Sequence, residues 1–481
     1  MMPGGPTSPL AQLVARFGTE VIVTDPTALE ATAVDHRRLY RGKPLALALP
    51  RSTAEVSQLL ALCNALRIGV VPQGGNTGYC GAATPDDSGT QLVLSLRRMR
   101  AVRRVDALND SMVVEAGCLL VEVQQAAAAA GRLFPLSLGS EGSCQIGGNL
   151  STNAGGVNVL RYGMTRELVL GLEVVLADGR VLSSLDALRK DNTGYDLRNL
   201  FIGAEGTLGV ITAAALRLFP MPRAVATAFV AVPTVAAAVQ LLADLRVASG
   251  DRVSSFELVP QLALDLVLQH IPGNRAPLGD GSPWYVLCEL TSARVEEPLA
   301  GILETALGAA LETGLATDAV LAQGERERRE FWHLRENIPE GQRRDGASLK
   351  HDVSLPIDRL AAFAERASAW VAAEVPEARL VAYGHVGDGN LHFNLNQAPG
   401  LPKGALAARE TVVKRAIHDL VREHGGSFSA EHGIGRLKVE ELQRYASPVE
   451  MSLMRAIKQA FDPNGVMNPG KVLARSDRPG N

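Results

Sequence analysis

The first half of the chain carries short apolar runs separated by glycine-rich turns, a pattern that predicts compact strands and helices. Residues 45–49 form an apolar run typical of a strand. Ser52 and Glu55 have the spacing of a capping box and precede an apolar stripe at helical spacing, made of Val56, Leu59, Leu60 and Cys63. Residues 68–71 form a second apolar run. The pattern therefore predicts a strand–helix–strand unit that leads directly into a glycine-rich loop.

Longer amphipathic stretches follow beyond residue 222 and predict a second domain. Alanine-rich helical patterns at 234–248, 295–313 and 357–375 alternate with apolar runs at 283–290 and 379–383. The proline-containing segment 218–222 separates the two patterns. We therefore expect a helical lead-in (1–40), a first domain (41–222), a second α+β domain (223–461) and a C-terminal tail (462–481).

Composition excludes several classes of protein. The net charge of −3 gives no electrostatic reason to expect nucleic acid or an anionic membrane as a partner. No apolar stretch reaches the ~20 residues that a membrane span needs, and residues 1–18 lack the pattern of a secretory signal. The five scattered cysteines show no CxxC spacing and fit a reducing compartment. These features predict a soluble cytoplasmic protein.

Three glycine-rich blocks indicate a ligand that carries phosphate. The first, residues 72–83, has glycines at 74, 75, 78 and 81, which let backbone N–H groups approach an anion closely. It lacks the Gly-Lys-Ser/Thr of a Walker A loop and the spacing of a Rossmann loop. The second block covers residues 139–156, and the third consists of residues 191–197 followed by residues 203–212. One such loop alone is often a plain turn, but three together predict a single long ligand.

A second group of residues is typical of a metal site. Six of the nine histidines lie between His351 and His432. In the segment 379–396, period-two alternation places His392, Asn394 and Asn396 on one face of a strand, with His385 at the mouth of the preceding turn. Glu431 and His432 follow later. Two histidines and a carboxylate are a common ligand set for Zn²⁺, Mn²⁺ or Fe²⁺, although histidines that only cap turns are the simpler alternative.

Two cationic residues and one residue of the C-terminal tail are further candidates for the site. Arg335 and Lys350 could hold an anionic substrate, since a guanidinium grips a carboxylate with two hydrogen bonds. The alternative is an ordinary surface position for both. The turn-rich segment 462–471 is either a C-terminal anchor or, through Asn468, part of the site.

The glycine blocks resemble those of the vanillyl-alcohol oxidase and p-cresol methylhydroxylase superfamily, over residues 44–473. The resemblance implies a two-subdomain FAD-binding fold with an α+β substrate (cap) domain. Asn76 stands where members with covalent flavin commonly have histidine, so we expect non-covalent FAD. The residues that the resemblance assigns to FAD are Pro72, Gly74, Gly75, Asn76, Thr77, Gly78, Gly81, Ala82, Gly142, Ser143, Gly148, Thr152, Asn153, Gly155, Gly156, Glu205, Gly209 and Ile211.

Within that superfamily, the motifs GHVGDGNLH and EHG resemble the branch of D-2-hydroxyglutarate and D-lactate dehydrogenases. The resemblance implies that His385, His392 and Glu431 bind a divalent metal, with zinc as the first choice, and that His432 is the base. It also implies that Arg335, Lys350, Asn394 and Asn468 line the substrate site. One position departs from the D-2-hydroxyglutarate pattern, because Pro339 stands where a threonine is expected.

The resemblance therefore predicts oxidation of a D-2-hydroxy acid, with D-2-hydroxyglutarate first. D-lactate, D-malate or glycolate as the substrate of a dehydrogenase or oxidase is the alternative, and a non-redox ether-lipid synthase of the same fold ranks below it. The expected electron acceptor is an electron-transfer flavoprotein or a quinone, the latter allowing peripheral membrane association. The oligomeric state is left open, with a homodimer as one option.

Overall fold

The computed structural model describes residues 8–279, 281–402 and 404–475. In chain order the strands of these residues are β1 Ile22–Val23, β2 Pro44–Ala48, β3 Gly69–Gln73, β4 Gln91–Ser95, β5 Val102–Asp106, β6 Ser111–Glu115, β7 Arg132–Leu133, β8 Val169–Val175, β9 Val181–Ser184, β10 Val210–Arg217, β11 Phe219–Pro220, β12 Ala224–Val232, β13 Val253–Pro260, β14 Trp284–Ser292, β15 Asp318–Leu321, β16 Ser348–Leu349, β17 Asp352–Ser354, β18 Ala378–Tyr383 and β19 Asn390–Gln397.

The α-helices are α1 Pro9–Phe17, α2 Pro26–Ala33, α3 Thr53–Leu66, α4 Leu120–Ala129, α5 Ile146–Ser151, α6 Val159–Tyr162, α7 Arg198–Phe201, α8 Val235–Ser249, α9 Gln261–His270, α10 Leu299–Thr313, α11 Glu325–Glu336, α12 Ile338–Asp345, α13 Ile357–Glu374, α14 Glu410–Glu423, α15 Val439–Tyr445 and α16 Pro448–Phe461. Short 3₁₀ turns lie at Thr165–Leu168, Val386–Asp388 and Ala407–Arg409.

The chain divides into two compact units. The first comprises residues 8–154, 164–220 and 431–475, and the second comprises the described residues within 155–163 and 221–430. This division differs from the predicted one at two places. Residues 431–461, which we expected in the second domain, group with the first unit, and the short segment 155–163 groups with the second. Sequence patterns follow the chain and therefore do not reveal a segment that returns to an earlier unit.

The first unit contains two main sheets. One has the order β1-β2-β4-β3, in which β4 pairs in parallel with β2 and β3. The other, β5-β6-β10-β8-β9, is antiparallel. The predicted stripe of α3 is confirmed, since Val56, Leu59, Leu60 and Cys63 are buried in one core with the interior of the parallel sheet. Ser52 caps this helix by accepting the N–H of Glu55 at 3.2 Å.

The second unit also contains two sheets. The antiparallel sheet β13-β14-β12-β15 carries the predicted helices α8 and α10. A smaller sheet is built around β19, which pairs with β16, β17 and β18. Residues Leu391, Phe393 and Leu395 of β19 are fully buried, as their alternation predicts. An isolated antiparallel bridge between Leu258 and Gly384 connects β13 to the end of β18.

All five cysteines are buried, and none forms a disulfide. Over the described ranges, the structure contains no helix that is both long enough and apolar enough to cross a membrane.

Candidate functional site

A long cleft in the first unit is built by the glycine-rich blocks. It consists of two adjoining cavities of ≈ 610 Å³ and ≈ 620 Å³, which share wall residues that include Gly74, Gly148, Thr152 and Glu205. The predicted cofactor residues that line it are Pro72, Gly74, Gly75, Asn76, Thr77, Gly78, Gly81, Ala82, Gly148, Thr152, Glu205, Gly209 and Ile211. The glycine blocks therefore meet at one elongated space, as a single long ligand requires.

The first glycine loop offers a row of backbone donors to this cleft. Within the described part of the chain, the N–H groups of residues 75–78 donate to no other residue. Asn76 holds a left-handed backbone (φ 54°), and its side-chain Nδ2 donates to the carbonyl oxygen of Val34 at 2.8 Å. A left-handed residue within a turn can direct successive N–H groups to one point, which makes an anion-binding nest. This geometry suits a diphosphate.

Glycine is needed in this cleft for two different reasons. A Cβ on Gly75 would lie 2.0 Å from the carbonyl oxygen of Ser143, so this glycine permits the first and second blocks to approach each other. A Cβ on Gly148 would meet no other atom within 4 Å, although Gly148 lies in α5 and lines both cavities. Its missing side chain leaves space that belongs to the ligand.

Two buried polar atoms in the cleft walls also indicate that this space holds a ligand. Among the described residues, neither Thr84 Oγ1 nor Asn468 Oδ1 has a hydrogen-bond partner. Both residues line the cleft and are at most 1% exposed. Buried polar atoms are almost always paired, so these atoms are suited to partners on a bound ligand. The donor row, the open glycine and these two atoms together fit FAD.

Five predicted cofactor residues lie outside the cleft walls, namely Gly142, Ser143, Asn153, Gly155 and Gly156. Asn153 stabilises a turn instead, since its Oδ1 accepts the N–H of Arg166 at 2.9 Å. Ser143 supplies the carbonyl oxygen against which Gly75 packs. Gly155 and Gly156 belong to the segment that groups with the second unit.

Glu205 holds the loop that follows His432. Its Oε1 accepts the N–H of Ile434 at 2.7 Å and its Oε2 accepts the N–H of Gly435 at 2.8 Å. Burial raises the pKa of this carboxyl to about 7, although the two N–H donors act in the opposite direction. The carboxylate was assigned to FAD by resemblance, and its observed contacts give it a role in shaping the cleft wall.

The C-terminal tail returns to the parallel sheet of the first unit. Met467 forms a parallel bridge with Val70, and the N–H of Asn468 donates to the carbonyl oxygen of Val70 at 2.8 Å. Asp462 fixes the turn before it by accepting the N–H groups of Val466 and Met467 at 3.0 and 2.8 Å. Asn468, predicted in the substrate site, lines the cavity that also contains Gly209 and Ile211.

His432 lies in the wall of the same cleft. Its ring stacks on Tyr79, with centroids 4.6 Å apart and an interplanar angle of 27°. Tyr79 belongs to the first glycine block and also contacts His36 edge-on at 5.6 Å. Burial raises the pKa of the Tyr79 hydroxyl, so the tyrosine is a neutral platform for the imidazole. The predicted base and the predicted cofactor loops therefore share one cavity.

The two predicted histidine ligands lie in the second unit, at the end of β18 and on β19. Their ring centroids are 5.5 Å apart. Each ring has a carboxylate at Nδ1, which is Glu257 Oε1 at 2.6 Å for His385 and Asp352 Oδ1 at 3.5 Å for His392. This is the arrangement that orients metal-binding imidazoles in proteins, with Nε2 as the nitrogen for the metal. The donor set thus fits a divalent ion.

Glu257 is a buried anion with two hydrogen-bond partners. Besides His385, its other oxygen accepts from Arg335 Nε at 2.7 Å. Burial alone would raise the pKa of this carboxyl, but its interactions with Arg335 and His385 outweigh burial and hold the pKa at about 2. The residue is 0% exposed, so it is an ionised group with no contact to solvent.

Arg335 lies on α11, and its own side-chain contacts are with Glu257 and Tyr383. This helix presents Arg328, Trp332 and Arg335 on one face, and Glu289 of β14 accepts hydrogen bonds from Arg328 (3.1 Å) and Trp332 (2.9 Å). The Arg335 guanidinium carbon lies 4.9 Å from the ring centroid of Tyr383. Within the part of the chain that the structure describes, the Nη groups of Arg335 donate to no other residue. This edge of the guanidinium can therefore bind an anion.

The other predicted substrate residues differ in their surroundings. Asn394 is buried, with Nδ2 donating to Gln342 Oε1 at 3.1 Å and Oδ1 accepting the N–H of His351 at 3.2 Å. Lys350 follows β16 and is exposed. Pro339 lies in the first turn of α12, where proline is tolerated because its missing N–H would have no helical partner.

Sequence reasoning did not assign Glu257, Asp352, Gln342 or Tyr79. Glu257 had a usable signal, since it is the one charged residue of β13, a strand in which every residue is buried. Acidic residues are rarely buried unless paired, so a lone acid in an apolar strand indicates a partner. Which partner it has depends on the bridge between β13 and β18, which distance along the sequence does not reveal.

Comparison with known proteins identifies both parts of the chain. A family model described as "FAD binding domain" matches residues 44–184, and one described as "FAD linked oxidases, C-terminal domain" matches residues 221–472. Among solved structures, p-cresol methylhydroxylase superposes with a TM-score of 0.75 at 17% identity, covering 97% of this chain and 96% of that chain. At this identity the superposition shows the fold alone, and it confirms the predicted fold class.

Curated relatives extend over nearly the whole chain. The mitochondrial D-2-hydroxyglutarate dehydrogenase of Bos taurus is 42% identical over 456 residues, covering 94% of this chain and 81% of the relative. The protein of the same name from Arabidopsis thaliana is 38% identical over 460 residues, covering 96% of this chain and 80% of the relative.

These names correct one prediction. We expected a cytoplasmic protein, and this is wrong, because both relatives are named mitochondrial. Cysteine usage reports only whether a compartment is reducing, and net charge does not distinguish one such compartment from another.

The two family matches and the relatives agree with the cleft, whose donors and open glycine fit FAD. The chain belongs to the FAD-linked oxidases, in the branch that contains the D-2-hydroxyglutarate dehydrogenases, and FAD is its cofactor.

Proposed function

We propose that the protein oxidises D-2-hydroxyglutarate to the corresponding 2-oxo acid, with His432 as the base. The observation that carries the proposal is that His432 lines the cleft formed by the glycine blocks. The cleft of the glycine blocks would hold FAD, which would supply the acceptor for the hydride from the substrate carbon that bears the hydroxyl. The relatives named above support D-2-hydroxyglutarate as the substrate.

His432 would take the proton of the substrate hydroxyl. Imidazole is the side chain that exchanges protons near neutral pH without special activation. Its stacking on Tyr79 fixes the plane of the ring, and the contacts of Glu205 with Ile434 and Gly435 restrain the loop that follows it. The base is therefore placed by packing and by backbone hydrogen bonds.

We propose His385, His392 and Glu431 as the ligands of a divalent metal, with Zn²⁺ as the first choice. When bound, the ion lowers the pKa of the substrate hydroxyl and orients the acid. The two imidazoles have their Nδ1 atoms directed to Glu257 and Asp352. Glu431 directly follows Ala430, whose N–H donates to the carbonyl oxygen of Asp352 at 3.3 Å.

Arg335, Lys350 and Asn394 would bind the carboxylates of the substrate. The Nη edge of Arg335 is the best placed of these, because its Nε and its ring face are already engaged by Glu257 and Tyr383. Such a guanidinium needs little further ordering when it binds an anion. An electron-transfer flavoprotein or a quinone is the acceptor that the family resemblance favours.

The presence of Pro339 favours a second candidate substrate, a shorter 2-hydroxy acid. Pro339 occupies the first turn of α12 and offers neither a hydroxyl nor an N–H to a distal carboxylate. D-lactate has no distal carboxylate and would need no contact at this position, and the distal carboxylate of D-malate lies one carbon closer to the hydroxyl.

The test is anaerobic stopped-flow reduction of the flavin by D-2-hydroxyglutarate, D-malate and D-lactate, each with metal-loaded and chelator-treated protein. D-2-hydroxyglutarate should give the highest second-order rate constant, and chelation should remove most of it. A higher value for either shorter acid would replace the substrate assignment. Full activity in metal-free protein would remove the metal role.

A further inference from the structure

Glu257 connects two groups to which the proposed function gives different tasks. Its Oε1 lies 2.6 Å from Nδ1 of His385, a proposed metal ligand, and its Oε2 lies 2.7 Å from Nε of Arg335, a proposed carboxylate ligand. The side chain is 0% exposed. One carboxylate therefore determines the orientation of both groups.

The backbone fixes this carboxylate opposite His385. Leu258 and Gly384 exchange two hydrogen bonds, of 2.8 and 3.1 Å, in an antiparallel bridge. In such a pair the preceding residue of one strand lies opposite the following residue of the other, which places Glu257 against His385. The contact thus follows from the backbone, and no flexible loop intervenes.

The contact has a chemical consequence for the imidazole. A carboxylate accepts hydrogen bonds only, so it selects the form of His385 that carries hydrogen on Nδ1 and presents the Nε2 lone pair to a metal. For Arg335 the same carboxylate engages Nε, while Tyr383 lies against the guanidinium at 4.9 Å. The Nη groups are then the edge available to a substrate.

We propose that Glu257 is a positioning residue that sets metal affinity through His385 and substrate affinity through Arg335. The proposal rests on the proposed function, since it takes His385 as a metal ligand and Arg335 as a substrate ligand. Glutamine at this position has one acceptor oxygen for two N–H donors, and its own NH₂ group would face one of them. A single Glu257→Gln substitution should therefore weaken both binding events.

Glu289 provides a matched control. It is also a glutamate of the same sheet, is 8% exposed, and accepts hydrogen bonds from Thr227, Arg328 and Trp332. None of its hydrogen bonds involves His385 or Arg335. Glu289→Gln should therefore lower the stability of this unit as Glu257→Gln does. It should leave the affinities for Zn²⁺ and for the substrate nearly unchanged.

The test compares wild type, E257Q and E289Q as FAD-containing proteins. Competition with a chromophoric chelator measures the Zn²⁺ dissociation constant, and anaerobic flavin reduction at increasing D-2-hydroxyglutarate gives the half-saturating concentration. E257Q should weaken Zn²⁺ binding about 10–100-fold and raise the half-saturating concentration about tenfold. E289Q should change each by less than about threefold even if its melting temperature falls.

Other results of these measurements also decide whether Glu257 has a positioning role. If E257Q retains both constants within twofold of wild type, Glu257 has no positioning role. If wild type binds no Zn²⁺, the proposed metal role fails and the His385 half of this inference fails with it. If E257Q does not fold, ¹⁵N-histidine NMR of Zn²⁺-loaded wild type answers the question: hydrogen on Nδ1 of His385 supports the proposal, and hydrogen on Nε2 overturns it.

Discussion

In the cleft of the first unit the donors are backbone N–H groups on glycine-rich loops, whereas in the second unit they are charged side chains held by other charges. The N–H groups of residues 75–78 are directed by the left-handed Asn76 and carry no net charge. Arg335 and His385 are buried beside Glu257. Burying a charge is costly unless it is paired, so the guanidinium of Arg335 needs a buried carboxylate, and the same carboxylate also orients His385.

The two regions therefore tolerate different substitutions. A backbone nest is sensitive to added atoms, because a Cβ removes the space that the ligand uses. A paired-charge cluster is sensitive to a lost charge, because the partner remains buried without compensation. Substitutions that add one carbon should therefore affect the cleft, and substitutions that keep size but remove charge should affect the cluster.

The largest effect on the rate of flavin reduction is expected at His432, the proposed base in the cleft. His432→Asn should slow flavin reduction by D-2-hydroxyglutarate about 10²–10⁴-fold, the range for loss of a general base. FAD should stay bound, since the donor row of residues 75–78 is unchanged. His36→Asn is the control, because His36 also contacts Tyr79 but is exposed. Equal losses in both variants would show that only the packing of Tyr79 matters.

A smaller effect is expected from Gly148→Ala in α5. The added methyl meets no protein atom within 4 Å, and alanine favours a helix over glycine, so the FAD-free protein should melt at a higher temperature. The same methyl enters the cleft and should weaken FAD binding by roughly 1–3 kcal/mol, the usual cost of overpacking. Thermal melting without FAD and fluorescence titration with FAD measure the two effects. Unchanged FAD affinity would mean that the ligand does not occupy this space.

The smallest effect concerns the pH dependence of stability through Glu205. Its pKa in the folded protein, about 7, lies above the ordinary value of about 4.3. Between these values the folded protein keeps a proton that the unfolded chain has released, so stability falls as pH rises from about 5 to 8. The advantage of wild type over Glu205→Gln should shrink by roughly 1–3 kcal/mol over this range.

Urea unfolding of both proteins at several pH values measures this difference. A gap between the two proteins that does not vary with pH would contradict the raised pKa of Glu205. An increase of the gap with pH would mean that the N–H groups of Ile434 and Gly435 outweigh burial.

The cleft was the more predictable region. Glycine-rich blocks are local features, and most of the residues assigned from them line one space. Exceptions such as Ser143 and Asn153 have structural tasks, since Ser143 packs against Gly75 and Asn153 accepts a hydrogen bond from the 3₁₀ turn Thr165–Leu168. A block identifies the loop, but which of its residues face the ligand depends on the contact between loops.

The charged cluster was only half predictable. His385 and His392 were found from their spacing on a hairpin, but Glu257 lies 128 residues before His385 in the sequence and meets it through one bridge between sheets. Residues 431–461 were assigned to the second domain, whereas they group with the first unit. Both omissions concern contacts between distant segments, which local periodicity does not encode.

The most direct test of the account is the stereochemistry of flavin reduction. Purified FAD-containing protein is mixed anaerobically with D- or L-2-hydroxyglutarate, and the flavin absorbance near 450 nm is followed. We expect rapid bleaching with the D-isomer and none above background with the L-isomer. Bleaching by the L-isomer at a comparable rate, or by neither isomer, would contradict it.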